Sequence, residues 1–539
     1  MSRFKNGWDV AFWAFVAVYA FCIVYKSSMP LMSGDDISFF MSLRDGSGAW
    51  HGLDFDYKRF FPLAGWNLNL IASISTSPYA FMIGNALVFV IVSGCYYALA
   101  RSFGANKALI FVSFVIFALS VGYVKIITQI PFPENTQIMF LLLFLLCAQR
   151  VFTKMKNSDI YIILALVFGN AVIYLKEVSF ALISGFGFTS LFLAFLNTRF
   201  SHTPKPSKIF VIFNCLLMLS GVIFLLLYVY FTHGANESYT NLYMFDSTIR
   251  IFIMSILGAP LVSIALPCMI LYRLYRIVKD KDTLNIFWDS IALMSFAYFS
   301  AYLVLGMSSF YYFTPSSLLA CLYGLFFIKL YAKTIVKSTL FWVVVVIFGL
   351  ISVFHTIPYG LHCFTLNKTQ MRNMQDSMEF LAKYIKENPG TTLYFDGLCR
   401  GSDRCHYYDQ YVTFFNILPR IYGAENFDIK SNEPNGKNFT ISPNAKFSFF
   451  SSDEVSTPKS GDLLFVSFMS DKPISQEYIE NLKEKEELLF ETDNFGYIPS
   501  YNIMSFGALA LQKLGIKHSL SNMGNPLRLP SQMYIFRIR

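Results

Sequence analysis

Charge is the scarcest commodity in this chain. Asp, Glu, Lys and Arg make up 14% of its 539 residues, against roughly a quarter in a soluble globular domain, and that deficit excludes a fully solvated protein. Ionisable residues are nearly missing from the long apolar runs, so any charge-based chemistry has to sit at their ends. No small-residue cleavage site follows the first apolar run, and further runs do, so it reads as a span and not as a removable signal. The formal net charge of +9 is carried mostly by the short connections between runs, and it leaves a nucleic-acid partner without support.

What fills the chain instead is apolar. Hydrophobic residues account for 55% and aromatic ones for 18%, with 58 Phe and 32 Tyr. Runs near 20 residues, each long enough to cross ~30 Å of hydrocarbon, predict a polytopic α-helical membrane protein. About eleven transmembrane helices are expected, at 8–25, 78–100, 105–123, 135–151, 160–175, 178–196, 209–231, 249–272, 284–306, 315–331 and 340–358. Short cytoplasmic loops hold an excess of Lys and Arg. A cytoplasmic N-terminus puts Arg3 and Lys5, then Arg101 and Lys107, then Arg150, Lys154 and Lys156 inside. It does the same for Arg199, Lys205 and Lys208, for Arg273, Arg276, Lys279 and Lys281, and for Lys329, Lys333 and Lys337. Every inner connection is then basic.

An odd number of spans places the remainder of the chain outside, and its composition changes there. Pro, Gly, Asn and Ser breaks separate strand-like runs at 391–395, 463–468 and 533–538 from helix-like stretches at 370–387 and 475–487. The expected organisation is a transmembrane domain over 1–359, with a first outer loop at 26–77 containing interfacial helices, and an extracytoplasmic α/β domain over 360–539. Cys399 and Cys405 stand as a disulfide, which an oxidising compartment permits, or as two free thiols.

The outer connections hold the candidate site. The first carries Asp35, Asp36, Lys58 and Arg59 among aromatic residues, a mixture that suits helices lying flat at the interface. Lys125 and Glu134 belong to the next, Lys176 and Glu177 form the third almost alone, and Tyr311 and Tyr312 lie in the fifth. Each has a structural reading beside the functional one. Asp35 and Asp36 also fit the N-cap of the helix that follows, Lys58 and Arg59 fit snorkelling cations, and Lys176 with Glu177 fits a tight turn. Glu134 fits a first-turn acid facing a helix dipole, and the tyrosines fit an interfacial belt. Convergence favours function, because acids and bases recur at several outer helix ends and hardly anywhere within the spans.

These features together resemble the GT-C superfamily of polyprenyl-phosphate-dependent glycosyltransferases. The resemblance rests on the acidic pair in Gly34, Asp35 and Asp36 soon after the first span, on the long first outer loop, on about eleven spans with the N-terminus inside, and on the closing outer domain. Lys58, Arg59, Phe60, Phe61, Pro62 and Leu63, and Leu175, Lys176 and Glu177, look like the places where bacterial members carry charges near the lipid phosphate. The Trp-Trp-Asp signature of oligosaccharyltransferases is missing, which argues against that branch. The resemblance implies a sugar moved, with inversion, from a polyprenyl phosphate such as undecaprenyl phosphate to a hydroxyl of a glycan or lipid acceptor on the outer face. Asp35 then corresponds to the base and Asp36 to its positioning partner. Lys58, Arg59, Lys125 and Lys176 are candidates for the donor phosphate, and Glu134, Glu177, Tyr311 and Tyr312 for sugar or acceptor. A divalent metal held by Asp35 and Asp36 is compatible with such carboxylates and not demanded by their spacing. The implied location is the bacterial inner membrane with the outer domain periplasmic, in O-antigen or lipopolysaccharide modification.

Two other classes make different demands on the residues. A flippase or transporter of a lipid-linked saccharide predicts broken helices or midplane charges related between two halves. Gly258, Ala259, Pro260 and Pro267 do interrupt one span, and Asp289 lies in another, with no evident counterpart. An O-antigen polymerase predicts a large central outer loop with arginines, whereas the connection at 232–247 is short. Sugar identity, acceptor and linkage are not legible in the residues.

Overall fold

The structure, a computed structural model, describes residues 4–31, 34–49, 52–54, 59–153, 158–201, 206–233, 245–307, 309–335, 337, 339–395, 417–431, 457–466, 476–493, 498–499, 501–515 and 532–539. Cys399, Cys405 and Lys58 lie outside the described residues.

The apolar runs fold as helices because a membrane leaves no other partner for their backbone groups. Among the described residues nine helices are long and apolar enough to cross a bilayer, or ten when one bent pair is counted as a single span. All eleven expected spans fall on helix, and the lower count comes from the bend within 105–123 and from the short apolar stretch at 159–175. Helix α8 (Ser158–Leu175) offers only a short apolar stretch, Asp159–Leu175. The expected span at 249–272 is divided by Gly258, Ala259 and Pro260 between α11 (Phe245–Gly258) and α12 (Leu266–Asp280), with a π-helical turn at Leu261–Ala265. Proline withdraws a backbone donor and cannot continue the ladder regularly.

The bent pair is α5 (Lys107–Ala118) and α6 (Val121–Thr128), angled at 66°. Its elbow fits only because two neighbours lack side chains. A Cβ on Gly122 would stand 2.5 Å from the Phe310 carbonyl oxygen, and one on Gly360 would stand 1.7 Å from the Leu119 carbonyl oxygen. The elbow therefore nests backbone against backbone and delivers the last turn of α6 to one end of the bundle.

The last membrane helix does not stop where its apolar run stops. Helix α15 (Thr339–Ile351) passes through a π turn (Ser352–Thr356) into α16 (Ile357–Glu387). The candidate span within it, Val345–Glu387, has 43 residues, roughly twice what ~30 Å of hydrocarbon requires. The division expected at 359/360 thus falls inside one helix. Lys368 Nζ donates to the Ile23 and Tyr25 carbonyls at 2.8 and 2.6 Å, tying α16 to the end of α1 (Phe4–Val24). Asn367 Nδ2 donates to Thr128 Oγ1 at 2.7 Å, tying it to α6.

Above that level α16 becomes one layer of an α/β unit. A five-stranded sheet follows in the order β4 (Phe427–Ser431), β3 (Thr391–Phe395), β5 (Leu463–Val466), β7 (Tyr534–Arg537), β6 (Glu487–Glu491). Strands β4, β3 and β5 are parallel, while β7 is antiparallel to β5 and β6. Alternation along the strands sorts the core into two faces. Leu393, Ile429, Leu463, Phe465 and Ile535 join Met374, Met378, Leu381 and Ile385 of α16 in one core. Tyr394, Leu464, Val466 and Phe536 meet Ile479 and Leu482 of the helix Gln476–Lys485 on the other. The expected strands at 391–395, 463–468 and 533–538 are the three adjacent central strands of this sheet.

Replacing Gly360 by Ala should lower the thermal midpoint in detergent by an amount corresponding to about 1–3 kcal/mol, because backbone faces the new methyl. Gly349→Ala, with open space around it, should leave the midpoint unchanged. Equal midpoints for the two variants would contradict the close packing of the elbow.

Candidate functional site

Three helix connections and the first loop bring charge to the end of the bundle that faces the sheet domain. Helix α2 (Gly34–Arg44) carries both acids in its first turn, but they point differently. Asp36 is fully buried and accepts from the Ile130 N–H at 3.3 Å, whereas the Asp35 side chain is exposed. Asp36 therefore does more than cap its own helix, since it holds the turn that joins α6 to α7 (Glu134–Phe152). Asn85 fixes the same turn from below. Its Nδ2 donates to the Ile127 carbonyl at 3.0 Å, and its Oδ1 accepts from Asn135 Nδ2 at 3.1 Å.

This turn presents Lys125 and Glu134. The Lys125 ammonium lies over the rings of Phe132 and Tyr311, 5.3 and 5.1 Å from their centroids. It stands in the electrostatic field of Asp36, Glu134 and Asp35, and it makes no ion pair or hydrogen bond among the described residues. Glu134, the first residue of α7, is completely buried and faces Lys176 Nζ at 3.2 Å. Neither of its oxygens accepts a hydrogen bond among the described residues. A buried carboxylate in that condition costs several kcal/mol in general unless something supplies donors.

Lys176 occupies the break between α8 and the short 3₁₀ turn Glu177–Ser179 that opens α9 (Phe180–Ser201). Its ammonium covers the rings of Phe61 and Tyr312 at 5.3 and 5.1 Å. Burial works against its charge, but the Glu134 carboxylate, then Tyr312 and Glu177, hold its pKa above the ordinary lysine range. Glu177 pairs with Arg59 at 3.8 Å. Arg59 belongs to the two-residue strand Arg59–Phe60, which is antiparallel to Leu53–Asp54. The tyrosines of the 3₁₀ turn Phe310–Phe313 close the far wall, with ring centroids 4.2 Å apart.

One polar layer lies beneath. Gln137, on the same face of α7 one turn after Glu134, donates to Ser179 Oγ at 2.8 Å and to Tyr298 OH at 3.1 Å. The Tyr298 hydroxyl reaches Tyr302 OH at 3.4 Å, and the Tyr302 ring stacks on Tyr312 at 4.8 Å. These bonds orient the wall that faces Lys176.

Of the residues expected from sequence, Asp35, Asp36, Arg59, Lys125, Glu134, Lys176, Glu177, Tyr311 and Tyr312 come together, and Lys58 falls outside the described residues. Asp289 does not join them. It is paired with Arg273 at 3.0 Å in a separate network with Tyr331 and Asp282, at the end of the bundle that carries the basic connections. Phe61 entered only as part of the stretch 58–63, and sequence reasoning missed Phe132, Gln137, Tyr298 and Tyr302. For Gln137 a signal existed, because position i+3 from Glu134 shares its helix face; the aromatic rings had none among so many. No group of three or more His, Cys, Asp and Glu side chains gathers as a metal site among the described residues.

No known family model matches the chain, and no curated protein sequence does. Solved structures of the Archaeoglobus fulgidus oligosaccharyltransferase overlap with it in outline. The apo form has 12% sequence identity and a TM-score of 0.43 over 78% of this chain. The form tethered to an acceptor peptide containing the NVT sequon has 12% identity and a TM-score of 0.41, again over 78%. The complex with an inhibitory peptide and a dolichol-phosphate has 12% identity and a TM-score of 0.41 over 77%. The chain spans 64% of the length of each.

Removing the Lys176 charge should leave the Glu134 carboxylate buried and uncompensated, a loss of about 3–5 kcal/mol. Lys176→Met should therefore lower the folded yield and thermal midpoint, and adding Glu134→Gln should restore part of both. A double variant no more stable than Lys176→Met would contradict the pairing.

Proposed function

We propose that this chain is a membrane glycosyltransferase that moves a sugar from a polyprenyl-phosphate donor to a hydroxyl of a glycan or lipid acceptor. The observation that carries the reading is the buried carboxylate of Glu134, which accepts no hydrogen bond among the described residues, beside two aromatic-lined lysines at one end of a membrane bundle. Sugar hydroxyls supply donors, tyrosine rings accept the apolar face of a pyranose, and lysines meet a phosphate. The described basic connections lie at the opposite end, and the positive-inside bias supports reading this end as the outer one, the periplasmic face if the membrane is a bacterial inner membrane. Undecaprenyl phosphate as the carrier and lipopolysaccharide or O-antigen as the acceptor fit that placement.

In this reading Asp35 is the base. Its exposed carboxylate takes the proton from the acceptor hydroxyl as the acceptor oxygen bonds to the anomeric carbon. The bond from that carbon to the phosphate oxygen breaks on the opposite face, so the configuration inverts and the polyprenyl phosphate leaves with the electron pair. Lys125, which forms no ion pair among the described residues, stabilises that developing charge, with Arg59 and Lys58 as further candidates. Lys176 is compensated by Glu134, against which it packs at 3.2 Å. Asp36, packed against Ile130, positions Asp35. Glu134 and Glu177 receive sugar hydroxyls, and Tyr311 and Tyr312 form the platform. A divalent metal at Asp35 and Asp36 would draw on the same carboxylates and is left to the chelator arm of the test. The ion pairing of Asp289 with Arg273 speaks against a midplane transport path.

Asp35→Asn keeps the size of the side chain and removes its proton affinity. Transfer from a radiolabelled polyprenyl-phosphate sugar should fall by roughly 10²–10⁴-fold with membrane insertion intact, because Asn serves a helix N-terminus about as well as Asp. A well-inserted variant with normal turnover would remove Asp35 from the chemistry, and turnover abolished by a chelator and restored by a divalent cation would add a metal to it.

A further inference from the structure

Strands β6 and β7 are adjacent and antiparallel, a pairing that two residues suffice to connect. Here the chain between Glu491 and Tyr534 instead leaves the sheet and runs down α16. Asp493 pairs with Arg372 at 2.6 Å, and its carbonyl accepts from Asn373 at 3.0 Å. Further down, the Ile498 N–H donates to Thr365 Oγ1 at 3.0 Å, and its carbonyl accepts from His362 Nδ1 at 2.9 Å. Asn502, buried, meets the ring of His355. The helix that follows, Ile503–Lys513, packs against the π turn Ser352–Thr356.

Two gauges give the depth of that contact. Lys368 marks the level where α1 ends, through its bonds to Ile23 and Tyr25, and the π turn lies roughly 20 Å along the helix below it. The π turn also belongs to a lipid-facing surface. Val346, Leu350, Val353 and Phe354 around it are all about half exposed, as expected of side chains that meet acyl chains. The helix Ile503–Lys513 continues this surface. Among its described side chains none is buried, and Ile503, Phe506 and, just beyond, Leu514 are exposed. In water such an apolar helix would stand uncovered, whereas in lipid its composition is that of its surroundings.

We infer that residues 498–499 and 501–515 belong to a membrane-inserted segment, in which Ile503–Lys513 inserts among the acyl chains of the leaflet beneath the sheet domain and anchors that domain. The segment obeys the rule for backbone in hydrocarbon. Its inserted part is helical, and the non-helical approach is covered by protein partners at Ile498 and Asn502. It gives the polar sheet domain a contact with lipid and holds the domain over the charged end of the bundle. The inference does not depend on the proposed reaction.

The test is fluorescence quenching in vesicles of phosphatidylcholine brominated on its acyl chains, with the full chain reconstituted. Phe506→Trp exchanges one ring for another, so the fold is kept. The emission it adds over the parent protein should fall about twofold or more relative to unbrominated vesicles, as for a ring below the headgroups. Glu480→Trp, on the exposed face of the helix Gln476–Lys485, should add emission that bromine leaves unchanged. Unquenched emission at 506 would overturn the insertion, and equal quenching at 480 would overturn its confinement to this segment.

Discussion

The interaction on which the rest depends is the ion pair between Glu134 and Lys176. A fully buried carboxylate tolerates that position only with a cation against it. The cation comes from a break in the helical ladder between α8 and α9, and the acid comes from the first residue of α7. Neither residue reaches the other unless α7 and α8 pack in register and the α6–α7 turn is held, which Asp36 and Asn85 accomplish from two sides. The site is thus the place where four connections are forced to agree. Lys125 then stands among acids and aromatic rings with no ion pair or hydrogen bond among the described residues, the arrangement a phosphate group would complete.

The second constraint is mechanical. Helix α16 is at once the continuation of a membrane span and a layer of the soluble core. It touches the α5–α6 elbow at Gly360 and the end of α1 at Lys368, so it links the position of Lys125 to that of the sheet. Arg420 adds a tie from the sheet domain to Asp45, just after α2, at 3.6 Å. The domain above and the acids of the first loop therefore move as neighbours.

Much of this was legible in the sequence, for physical reasons that can be named. The spans follow from apolar length, and their alternation follows from where Lys and Arg fall. The acids and bases of the site were visible because charge is so scarce that its recurrence at helix ends stands out. Strand 391–395 was legible from its β-branched and aromatic run. What escaped was everything that depends on long-range packing. The burial of Asp36 but not Asp35 is decided by Ile130, 94 residues away. The α5–α6 bend requires the carbonyls of Leu119 and Phe310 to approach glycines, which no local pattern announces. That the helix runs on past 358 was not legible, because polar residues 362–387 continue it against protein, a long-range contact. The packing of residues 503–513 against the π turn of the last membrane helix is likewise a long-range contact with no local pattern to announce it.

The central claim is that the charged end of the bundle receives the phosphate of a lipid-linked sugar. The most direct measurement is an experimental structure of the chain in a lipid nanodisc with a polyprenyl monophosphate bound. The phosphate is predicted within hydrogen-bond reach of Lys125, between the Phe132 and Tyr311 rings, with the prenyl chain leaving toward lipid and Asp35 facing the solvent side. A phosphate seated at the opposite end, beside Arg276 and Lys279, would contradict the account.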